Sequence, residues 1–88
     1  MKFAGEIYVG KSIEDTASVI ALLRKGEKAS GVFCLCKKDD GRFSYEIMDT
    51  SELLKERNKD KYTVYGIAAG KKEAFELLRS MLEDTNAY

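Results

Sequence analysis

Eight residues near the start of the chain, Gly5-Glu6-Ile7-Tyr8-Val9-Gly10-Lys11-Ser12, match the phosphate-binding pattern G-x-x-x-x-G-K-[ST]. In that pattern backbone N–H groups cradle a phosphate, the lysine neutralises it and the hydroxyl reaches a magnesium ion. The arrangement needs a strand before the first glycine and a tight nest of N–H groups between the two. Only Met1 to Ala4 precede Gly5, and Glu6-Ile7-Tyr8-Val9 holds two β-branched residues and an aromatic, a composition that favours extended backbone. No later strand ends in a convincing magnesium-binding aspartate; Asp49 is nearest, and Glu46 breaks the apolar run before it. The segment therefore reads as a strand, a turn at Gly10, and a helix start. Ser12-Ile13-Glu14-Asp15 comes close to a capping box.

Two other groupings carry reactive or charged atoms. Cys34 and Cys36 stand two apart in an apolar stretch. On a strand that spacing places them on one face about 6.6 Å apart, with parallel Cβ vectors unsuited to a disulfide. They read as two small, half-buried thiols, although a symmetric dimer could pool four for a metal. Gly70-Lys71-Lys72 opens an apolar helix pattern, where free N–H groups beside two ammonium groups would suit a small anion. The plainer reading is a solvated lysine pair. The chain has no His, which removes the commonest general base and metal ligand, and no pair of general base and nucleophile can be named. No cofactor is expected.

The elements that would position these residues follow from apolar periodicity. Strands are expected over 3–9, 29–37, 42–48 and 62–69. Helices are expected over 13–25 and 71–83, with a short one over 51–58 capped by Thr50 or Ser51. Gly26, after Arg24 and Lys25, marks a helix end. On the last helix Ala74, Leu77, Leu78, Met81 and Leu82 form the apolar side. The order β-α-β-β-(short α)-β-α predicts a single α+β domain over residues 1–88, with two main helices on a four-stranded, mostly antiparallel sheet. Its connectivity is expected to be ferredoxin-like, or a meander if the short helix is only a loop.

The Asp39-Asp40-Gly41 turn decides which face the thiols take. A three-residue loop sets Leu35 opposite Tyr45 and Phe33 opposite Ile47, gathering Phe33, Leu35, Phe43, Tyr45 and Ile47 in one apolar layer. Val32, Cys34, Cys36 and Met48 then share the other face with Ser44 and Glu46. Tyr62 to Ala69 is apolar or small on both sides, with Tyr62, Val64 and Ala68 on one and Tyr65, Ile67 and Ala69 on the other, as in a strand covered on both faces.

Ile7-Tyr8-Val9-Gly10 is similar to the first-strand signature of the RNA-recognition motif. Gly41-Arg42-Phe43-Ser44-Tyr45 partly echoes the second, with Gly and Arg in reversed order. That resemblance implies single-stranded RNA stacked on Tyr8, Phe43 and Tyr45. It would turn Glu46 into the core, where an unpartnered carboxylate is costly.

Composition bounds the rest. Hydrophobic residues make up 44% and charged residues 34%, as in ordinary globular chains. Fifteen basic and fifteen acidic groups cancel, with +2 on residues 1–44 and −2 on residues 45–88. Neither duplex DNA nor an anionic membrane is an expected partner. No apolar run spans a bilayer and no signal segment is evident, so a cytoplasmic setting with reduced thiols is expected. The functional expectation is a non-catalytic interaction module forming a homodimer through the face of Val32, Cys34, Cys36 and Met48. The alternatives are single-stranded RNA at Tyr8 and a small anion at Gly70, Lys71 and Lys72.

Overall fold

A first strand with apolar residues along it, a thiol-bearing second and a fourth that is apolar or small on both sides build one sheet from β1 (Lys2–Val9), β2 (Val32–Lys38), β3 (Glu46–Asp49) and β4 (Tyr62–Ala69). The helices are α1 (Thr16–Arg24), α2 (Thr50–Leu53) and α3 (Lys71–Thr85). This is a computed structural model that describes residues 1–41 and 43–85. Arg42, expected to open the third strand, lies outside the described residues.

The strand order is β1-β4-β2-β3. β1 runs parallel to β4, whereas β4 with β2 and β2 with β3 are antiparallel. The sheet is thus mixed. A split β-α-β unit is present, but β3, α2 and β4 form it, with β2 lying between its two strands. The expected ferredoxin-like connectivity needs β1 parallel to β2, and these strands run antiparallel. A meander would place β3 between β2 and β4, and β3 is instead an edge.

Helix ends follow local side-chain chemistry. Asp15, not Ser12, caps α1: its carboxylate accepts the Ser18 N–H at 3.0 Å and the Ser18 hydroxyl at 2.6 Å. At the other end Gly26 adopts φ 79°, and Glu27 N–H closes onto Leu22 O at 2.9 Å. Asp49, rather than Thr50 or Ser51, caps the single turn of α2 by accepting from Glu52 N–H at 2.8 Å.

Both faces of the sheet are covered. Leu23, Val32, Cys34, Cys36, Leu53, Tyr62, Val64 and Ile67 form a buried cluster, with Val19, Leu22 and Leu54 from α1 and the α2 end packed against it. The opposite cluster joins Leu35 and Ala68 to Ala74 and Met81 of α3, with Phe33, Tyr45, Ile47, Tyr65, Leu77 and Leu78 around it. The expected division of β2 and β3 between faces is therefore observed. The register is two residues longer than expected, with Leu35 opposite Ile47 and Cys34 opposite Met48. Phe43 consequently falls in the loop and is 90% exposed.

A bulge alters β4. Leu35 pairs with Gly66 and Cys36 with Val64, leaving Tyr65 out of register. The alternation reverses there, so Ile67 joins Val64 beneath α1 while Ala68 joins Tyr65 beneath α3. The extra residue swaps the faces that strict alternation assigns to the second half of the strand.

Candidate functional site

Parallel pairing of β1 with β4 brings their carboxyl ends together at Gly10 and Gly70, which flank the start of α3. Gly10 N–H donates to Ile67 O at 2.8 Å, and Gly70, at φ 89°, donates to Gly31 O at 2.8 Å. Glu73, in the first turn of α3, reaches back into this junction. Its carboxylate accepts Ser12 N–H at 3.0 Å and Ala69 N–H at 2.6 Å. A Cβ on Gly10 would collide with that carboxylate, so any larger residue here must displace the Glu73 side chain from its two backbone donors. Hydrogen bonds from Ser12 and Ala69, aided by Lys11, hold the Glu73 carboxyl below its usual range.

Beside this junction lies a groove of about 410 Å³, lined by Val9, Lys11, Glu76, Leu77, Arg79 and Ser80 along with Gly10 and Glu73. The segment that spells the phosphate-loop pattern therefore has its turn N–H engaged by the chain's own carboxylate. Residues 5–9 are strand, as their composition predicts.

The sequence-derived candidates divide into three places. Val32, Cys34 and Cys36 are buried under α1 and α2, and Met48 packs partly covered against the same cluster. They are core residues, which corrects the expectation that they form a contact face. Burial pushes both thiols up to about 12, so neither offers a thiolate near neutral pH. Tyr8 lies on the other face, 36% exposed. Partial burial and then the neighbouring Asp84 carboxylate of α3 raise its hydroxyl above the ordinary tyrosine value. Lys71 and Lys72 are exposed at the start of α3. The Glu73 carboxylate stands next to them, and it occupies the side of the helix terminus turned towards Ser12.

The platform implied by the RNA-recognition resemblance is not assembled. It needs the first and third strands side by side on an open face, and here β1 and β3 are the two opposite edges. α3 covers the face that carries Tyr45 and Tyr65, whose rings meet edge-on with centroids 5.6 Å apart. Lys37 Nζ sits 4.4 Å above the Tyr45 ring. Glu46 does turn towards the α1 side, yet it has a partner: the Tyr62 hydroxyl donates to it at 3.3 Å.

Sequence reasoning missed two features. Glu73 reads as an ordinary first-turn acid until the fold brings Ser12 to it across 61 residues. Leu82, expected on the buried side of the last helix, is 45% exposed, and Phe75 is 54% exposed. At 100° per residue Phe75, Leu78 and Leu82 share the flank of α3 turned away from the groove, on the side of β2 and β3. The spacing 75, 78, 82 was a readable signal for this second apolar stripe. Among the described residues no cluster of three or more His, Cys, Asp or Glu is placed to hold a metal, and no helix is long and apolar enough to cross a membrane.

The chain was compared with protein-family models, with curated proteins and with solved structures, and none of the three gave a match.

Proposed function

We propose that this protein is a small cytoplasmic, non-catalytic interaction module that self-associates through the outer flank of α3. The carrying observation is the pair Phe75 and Leu82, 54% and 45% exposed, flanking the partly covered Leu78 on one side of a helix that otherwise packs on the sheet. This reading keeps the self-association expected from the sequence and moves it from the thiol face, which the chain's own helices fill, to the helix.

The sheet edges are poor alternatives for pairing. β3 has four residues, and the β1 ladder breaks between Phe3 and Tyr8, where Gly5 and Glu6 are exposed. Short and bulged edges resist strand addition. Chemistry is disfavoured by the same arrangement: the Glu73 carboxylate is tied to two backbone donors, and the thiols are buried with raised pKa values. Sedimentation velocity over a hundredfold concentration range through the micromolar region should show a monomer–dimer equilibrium. A single monomeric species throughout would reject the reading.

A further inference from the structure

α3 carries its terminal charges against its own dipole. Lys71 and Lys72 stand at the positive end, whereas Glu83 and Asp84 stand at the negative end, where the last turn has no basic residue. Glu73 offsets the lysines in part, but its carboxylate is engaged by Ser12 and Ala69. This polarity is unfavourable for a helix alone. It becomes favourable when a second copy of the helix lies antiparallel alongside, since each lysine end then meets an acidic end.

Resting on the self-association proposed above, we infer that the partner is a second copy of this chain, docked α3 against α3 about a two-fold axis near Leu78 and Arg79. Helical spacing centres Phe75 and Leu82 on that axis and centres Lys72 and Glu83 one residue nearer the helix start, an offset that long side chains span. Phe75 and Leu82 are two turns apart and equidistant from it, so each Phe75 meets the partner's Leu82. Lys72 and Glu83 are three turns apart and share one flank, and in an antiparallel pair like flanks adjoin. Each Lys72 therefore lies beside the partner's Glu83, and the two-fold repeats the contact. The two copies of Arg79 approach near the axis, where each is balanced by its own Glu83 at 3.3 Å. The apolar stripe supplies the adhesion and the charge order selects the antiparallel sense.

The test uses the full chain and four variants, with folding checked by far-UV circular dichroism. Phe75→Glu places a charge in the stripe at an exposed position, and it should weaken dimerisation at least a hundredfold (about 2.8 kcal/mol), as expected for an aromatic anchor. Lys72→Glu and Glu83→Lys should each weaken it by about three- to tenfold, because two symmetry-related rim pairs turn repulsive. The double variant Lys72→Glu/Glu83→Lys restores opposite charges at both contacts and should bind more tightly than either single reversal, though short of wild type because Arg79 loses its Glu83 partner near the axis. A folded Phe75→Glu protein that dimerises like wild type would overturn this placement and leave self-association standing. Single reversals that weaken the dimer without rescue in the double variant would overturn the antiparallel pairing. A wild-type chain that never dimerises fails the broader reading instead.

Discussion

Glu73 accepts the backbone N–H of Ser12 at 3.0 Å, joining the turn after β1 to the first turn of α3 across 61 residues of sequence. The same carboxylate holds Ala69 N–H, so one side chain fastens the ends of both parallel strands to the helix that covers them. Its position beside the glycine-lysine-serine turn explains why a segment with phosphate-loop lettering has a structural task here.

This clasp makes stability depend on acid. The folded Glu73 carboxyl lies below its ordinary 4.5, so its contribution is complete above that pH and is lost as pH falls through the folded value. Asp15, Asp39 and Glu52 are lowered too, chiefly by hydrogen bonds from Ser18, Lys2 and Lys55 respectively. Urea midpoints should hold steady from pH 7 to 5 and drop below pH 4.5. Glu73→Gln should cost about 1 kcal/mol at pH 7 and reduce the drop in acid. An unchanged acid slope in that variant would show the clasp to be energetically silent.

Gly10→Ala should be destabilising through the same carboxylate, since the new methyl group collides with it. The expected loss is about 1–2 kcal/mol, the net worth of the displaced charged hydrogen bonds. In a Glu73→Ala background the same change should cost much less, a coupling that a double-mutant cycle in urea measures directly.

Cys34 and Cys36 are both fully buried, and the Cys36 Sγ lies 3.6 Å from Glu46 O. Alkylation by iodoacetamide at pH 8 should therefore proceed only through unfolding and follow the global unfolding free energy. Rapid labelling under native conditions would contradict their burial. Cys34→Asp should prevent folding, whereas a residue at a dimer surface would only dissociate the subunits.

Thr50 is a buried polar residue that ties α2 to the segment leading into β2. Its hydroxyl accepts Ala29 N–H and donates to Ala29 O, both at 2.9 Å. Thr50→Val keeps the shape and strands both backbone groups, so it should cost about 1–3 kcal/mol in chemical denaturation. Thr50→Ser retains the hydroxyl and should cost clearly less.

Much of the architecture was legible in the residues. Strand and helix identities, the α+β class, the helix end at Gly26 and the shared face of Cys34 and Cys36 come from local periodicity and turn chemistry, which neighbouring residues enforce without distant contacts. Strand order was not legible, because β1 can pair through several connections of similar local cost. Only the competition among complete packings seats it beside β4. The Tyr65 bulge likewise leaves no mark in a uniformly apolar strand, yet it exchanges Ile67 and Ala68 between faces.

The contact surface divides in the same way. Apolar spacing on the last helix identified one buried side of Ala74, Leu77, Leu78, Met81 and Leu82, and it left Phe75 out. Which of them meet solvent depends on how the helix rotates against β4 and β2, a choice made by the volumes of Ala74, Leu35 and Ala68 beneath it. Periodicity acts within a few turns of chain. Rotation, strand order and the grip of Glu73 on Ser12 are long-range outcomes, and they exist only once the whole sheet has closed.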